Sequence, residues 1–159
     1  MSTLQPLYAA NAAITITLTS LANAAYRQSL AVDNTTTKYA DAFIYGHVKN
    51  NGTPLATGSY SLFVYGSNDN GTTYSNNASG ADAGFTPDSV NNLLLLGSVI
   101  TTATLNLISY WPGISVCQAA RWTSLPSKWG IIVLNSSNVA LTAVGADHVF
   151  SFQGVNYSF

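Results

Sequence analysis

Glutamate is absent from this sequence, and charge of either sign is scarce. Charged side chains make up 7% of the 159 residues, against about 25% in an ordinary soluble domain. The acids are all aspartates, and the bases are Arg27, Lys38, Lys49, Arg121 and Lys128. Glu, Lys and Arg normally fill exposed helical faces, so their scarcity argues against a helical fold. A net charge of −1 leaves no basic patch, which argues against nucleic-acid binding through phosphate neutralisation.

Cysteine is nearly absent as well. Cys117 stands alone, so no internal disulfide can form. It reads as a small buried apolar residue rather than a nucleophile. The longest apolar run, Leu93 to Ile100, is interrupted by Gly97 and Ser98 and is too short to span a bilayer. No basic n-region is visible at the start, so no secretory signal is expected. The Asn-x-Ser/Thr triplets at Asn34, Asn51, Asn70, Asn77, Asn135 and Asn156 then read as products of a composition rich in Ser and Thr.

What is present points to strands. Thr, Val, Ile, Tyr and Phe fit pleated surfaces, while Asn, Ser, Gly and Asp supply turns. The length suits one domain with a core large enough to need no staple. A surface this poor in charge is weakly protected against self-association. It is either covered by partner subunits or kept in solution by hydroxyls and amides.

Residues 1–13 carry no charge and no clear periodicity. They are expected to form an extended arm, frayed or laid on a neighbour, ahead of a single β-sandwich domain over 14–159. Ile14, Ile16 and Leu18 alternate with threonines and predict a half-buried strand. A second strand is expected over Ala25 to Val32, followed by a turn at Asp33 to Thr37. Beyond it, Ala42, Ile44 and Val48 face one way, and Phe43, Tyr45, His47 and Lys49 the other. Tyr60 to Gly66 is apolar on both faces, so something besides the core must cover it. Asn70-Gly71, in a long polar loop, suits a type I′ turn. Leu93 to Thr101 reads as a central strand, and Leu105 to Tyr110 as another. A short helix is possible around Gln118 to Ala120. Trp129 to Leu134 and Val139 to Ala143 complete the set, with a final hairpin turned at Gln153-Gly154. Eight to ten short strands with regular turn signals predict an all-β antiparallel β-sandwich, jelly-roll-like rather than immunoglobulin-like.

Catalytic chemistry is hard to assemble from these residues. Asp33, Asp69, Asp82 and Asp88 sit in turn-like sequence, where Asp is a turn former. His148 follows Asp147 directly, and neighbours on an extended chain point to opposite faces, so the pair cannot work with Cys117 as a triad. The loop Asn68 to Thr72 offers oxygen ligands for calcium but lacks the spaced acids and terminal Glu of an EF-hand. No catalytic residue, metal site or cofactor is expected. Trp111, Trp122 and Trp129 read as core or interface anchors, with Trp111 the one expected to be exposed.

Several short stretches carry a resemblance. Ala31-Val32-Asp33-Asn34-Thr35-Thr36 is one; Tyr65-Gly66-Ser67 with Asp69, Gly71 and Tyr74 is another. Lys128-Trp129-Gly130-Ile131-Ile132-Val133 and Asp147-His148 complete them. From about Ile14 onward the chain resembles small virion proteins of tailed bacteriophages, the jelly-roll head decoration or cement proteins. The resemblance implies a non-enzymatic structural protein on the outer surface of the capsid. Its expected partners are the major capsid protein and further copies of itself in a homotrimer, with no nucleic acid and no membrane. Leu4, Pro6, Leu7, Tyr8, Phe63, Tyr65 and Trp111 are the expected interface residues. The alternative is a carbohydrate- or receptor-binding module of a phage tail or fibre, suggested by aromatic side chains and the Asn- and Asp-rich loop.

Overall fold

The computed structural model describes residues 5–158, and among them ten strands form two antiparallel sheets. In chain order they are β1 (Gln5–Ala13), β2 (Tyr26–Gln28), β3 (Val32–Asp33), β4 (Asp41–Lys49) and β5 (Ser59–Ser67), then β6 (Ala83–Phe85), β7 (Leu94–Ile100), β8 (Ile108–Ser115), β9 (Lys128–Ser136) and β10 (Val149–Ser158). One short helix, α1 (Val116–Ala120), follows β8. The smaller sheet runs β1-β10-β4-β8; the larger runs β6-β2-β9-β5-β7, with β3 also paired to β9.

Leaving aside the short β3 and β6, the pairing is that of a folded ribbon. The first strand pairs with the last, the second with the second-last, the third with the third-last, and the middle two with each other: β1 with β10, β2 with β9, β4 with β8, β5 with β7. Winding that ribbon brings β10 beside β4 and β9 beside β5. This is a jelly roll, two packed sheets in which all but the lateral edges are paired.

The inner faces follow directly from alternation. Ala42, Ile44 and Val48 of β4 are buried against Tyr60, Leu62 and Val64 of β5, with Trp129, Ile131 and Val133 of β9 in the same core. Trp111 and Phe150 join it with ring centroids 5.4 Å apart. They flank Gly46, the residue paired to both. Any side chain there would run into the Phe150 ring. Large-small-large across three strands lets two aromatic rings meet over a glycine. Trp111 is therefore 2% exposed, contrary to the expectation from the Pro112-Gly113 that follows it.

The second face of β5 has its own cover. Phe63, Tyr65, Phe85, Leu93 and Ile132 form a smaller core, with Tyr26 and Tyr74 packed on it. The cover is the chain itself: the excursion of residues 68–93 between β5 and β7 lies over the outer face of the six-stranded sheet. Tyr65 is fully buried there, its hydroxyl donating to the Ser29 carbonyl at 2.6 Å.

Other elements differ from the sequence expectation. Residues 5–13, expected as an extended arm, are extended and pair with β10 as a nine-residue strand at the edge of the sheet. Ile14 to Leu18 are in no strand, yet Ile14 and Leu18 are buried and only their alternation survives. Leu94–Ile100 lies at a sheet edge, not at its centre. Leu141 makes only an isolated bridge to Asn50. Gln153 and Gly154 do not turn; β10 continues through them because β1 and β4 flank it on both sides. The short helix is present: the Ser115 side chain caps it by accepting from the Gln118 amide at 3.1 Å. Asp41 steadies the same end, accepting from the Ser115 hydroxyl at 2.6 Å and the Cys117 amide at 2.9 Å.

Candidate functional site

Cladding of the six-stranded sheet by the chain's own excursion leaves one broad sheet face open, the outer side of β1-β10-β4-β8. Three rows cross it. Val149, His47 and Tyr110 are paired neighbours; Ser151, Tyr45 and Pro112 form the next row; Gln153 and Phe43 the third. Tyr8 reaches over from β1, its ring 6.3 Å from that of Phe43. His47 and Tyr110 stand 5.5 Å apart. Tyr110 is 60% and Tyr8 59% exposed, and Tyr45 and Val149 are exposed with them. The strands place them here by strict alternation, since Ser109, Trp111, Phe150 and Phe152 turn inward between them.

No charged side chain stands within these rows. Lys49 borders them at the end of β4, and its ammonium is held 3.1 Å from Asp147. An apolar and aromatic patch with a polar margin has the composition common in protein interaction surfaces. It continues to β1, whose nine residues are uncharged and whose far edge is unpaired among the described residues. Edge strands are ordinarily blunted by charge or proline; here only Pro6 does so.

The expected interface residues separate into two groups. Pro6, Leu7 and Tyr8 lie exposed on β1; Leu4 falls outside the described residues. Phe63, Tyr65 and Trp111 belong to the two cores and offer nothing to a partner. The excursion covers Phe63 and Tyr65, and Gly46 admits Trp111 to the interior. Tyr45, His47 and Tyr110 were available from the alternation of β4 and β8. Alternation shows that residues share a face; it does not show which face stays bare.

The groups considered for catalysis are dispersed. Cys117 sits beside the start of β4, where its thiol donates to the Ala40 carbonyl at 3.3 Å. Burial, with Asp41 nearby, pushes its pKa up to about 12, so the thiolate is strongly disfavoured. His148 lies at the other end of β4, about 26 Å away along eight residues of strand. Asp147 turns to Thr142 and Lys49. Asp69 accepts from the Ser67 hydroxyl at 2.6 Å and the Thr73 amide at 2.9 Å, which holds its pKa down at about 2. Asp82 pairs with Arg27 at 2.8 Å. Among the described residues no three of His, Cys, Asp or Glu come together as a metal site. Comparison with family models, curated proteins and solved structures found no match for this chain.

Proposed function

We propose that this is a non-enzymatic structural protein of a phage virion, a decoration or cement protein that stabilises the head through contacts with the major capsid protein and with its own copies. The observation that carries the reading is the charge-free aromatic face of the four-stranded sheet, continuous with the uncharged edge strand β1. A lattice protein binds through surface buried many times over, and its contacts need shape and apolar area more than long-range charge. Tyrosines are the common anchors of such surfaces.

The test has two parts. On purified virions, gel densitometry is expected to find the protein at a copy number on the scale of the capsid lattice; absence, or a few copies, overturns the reading. In solution, sedimentation of the purified protein is expected to show self-association that Tyr45→Glu with Tyr110→Glu abolishes while leaving the melting temperature close to wild type. The alternative, a receptor-binding module of a tail or fibre, rests on the same exposed tyrosines, which could stack on sugar rings. A low copy number together with loss of adsorption in phage lacking the protein would favour it.

A further inference from the structure

The geometry points to a second site, remote from the tyrosine face: we propose that the cleft between the exit of α1 and the end of β5 binds a saccharide bearing a carboxylate. This goes beyond the assembly role above and is compatible with either location in a virion. The cleft is an open depression of about 410 Å³ lined by Gly66, Asn68, Arg121, Trp122, Thr123 and Ser124, among others. Ligand sites occupy about 300–1,000 Å³ and combine apolar surface with a few placed polar groups.

Arg27, Lys49 and Lys128 are each paired with an aspartate. Two of the five bases, Lys38 and Arg121, have no acidic partner among the described residues, and of the two only Arg121 offers a guanidinium, beside Trp122 in this cleft. The Arg121 side chain stands exposed on the cleft wall. Its backbone ends α1 in the left-handed region, φ 57° and ψ 34°, a position usually left to glycine. Asp69, close in sequence to Asn68, spends its carboxylate on Ser67 and Thr73.

The neighbours supply the rest of a sugar site. Trp122 is half-buried, with one edge anchored in the main core and against Gly66. A Cβ on Gly66 would lie 2.7 Å from Pro126 Cγ and 3.0 Å from Trp122 Cη2. The missing side chain is thus what seats the indole and keeps the cleft open. A guanidinium fork matches a carboxylate with two parallel bonds. The indole offers an amphipathic surface for a sugar's C–H face. Asn68, Thr123 and Ser124 provide amide and hydroxyl groups for its hydroxyls.

Calorimetric titration of the full chain with 3′-sialyllactose and with trigalacturonate, against lactose, maltotriose and sodium acetate, tests the proposal. At least one acidic sugar is expected to bind measurably, with the neutral sugars and acetate about tenfold or more weaker. Arg121→Gln, at an exposed position, is expected to remove that preference without lowering the melting temperature, and Arg121→Lys to restore it in part. No binding of either acidic sugar, equal affinity for neutral sugars, equal affinity for acetate, or an unchanged preference in Arg121→Gln would each overturn it.

Discussion

Single residues decide two local features of this molecule, and both are open to measurement. Gly46 lies where Phe150 and Trp111 converge. Gly46→Ala is expected to lower the unfolding free energy by about 1–3 kcal/mol through overpacking, read from the denaturant midpoint. His148 is the second. It is buried, its Nδ1 accepts from the Lys49 amide at 3.4 Å, and its Nε2 donates to the Thr142 carbonyl at 3.0 Å. Burial depresses its pKa below 6.5, outweighing the Thr142 bond and Asp147. A proton is thus bound less readily by the folded chain than by the unfolded one. The stability this provides is complete above about pH 6.5 and is lost as pH falls through that value toward the folded pKa. Urea titrations are expected to show a decline between pH 7 and 5 that His148→Gln flattens. Asp33, Asp69, Asp82 and Asp147 do not contribute in that window, because each is held below its ordinary value of 3.8.

Among the elements, the excursion of residues 68–93 has the largest consequence, since it turns an outer sheet face into a second core. It is fastened at several points. Gln28, fully buried, donates to the Ser79 hydroxyl and the Ala81 carbonyl. Asp82 accepts from Arg27 and from the Thr17 amide and hydroxyl; these bonds outweigh the opposing effect of burial on its pKa. Phe85 supplies the apolar contact, edge-on to Tyr26 with centroids 6.1 Å apart. Phe85→Ala is expected to cost about 3–5 kcal/mol and to raise hydrogen exchange first within 68–93. Uniform acceleration across both sheets would instead mean that the excursion and the sandwich open as one unit. The two-sided strand over Tyr60 to Gly66 was legible in sequence, and so was its need for a cover. That the chain covers it unaided was not, because residues 68–93 carry turn chemistry and few apolar residues.

For the whole molecule, topology governs kinetics and assembly. The first described strand pairs with the last, β1 with β10, and every pairing in the two sheets joins strands well apart in the chain, β5 with β7 being the nearest in sequence. Closing such loops costs entropy before the contacts form, so stopped-flow refolding is expected in the millisecond-to-second range. Microsecond refolding would contradict that view of the ribbon. The same winding leaves the outer faces unequal. One is clad by the excursion; the other, with Tyr8, Tyr45 and Tyr110, is bare. Low charge therefore goes with two separate features, a second internal core and an open aromatic face, and only the latter is exposed.

Composition and alternation determined the fold class here, because a pleat sorts residues by parity and turns demand Asn, Asp and Gly whatever the tertiary context. They also put Asp69 and Asp88 outside the strands and sorted the two faces of β4 and β5, though Asp33, expected in a turn, ends β3. Tertiary structure alone decided which faces stayed exposed. Burial depends on what crosses over a strand, and that is set by contacts between residues far apart in the chain. Phe63, Tyr65 and Trp111 went inside for that reason, while Tyr45 and Tyr110, no more apolar, were left outside.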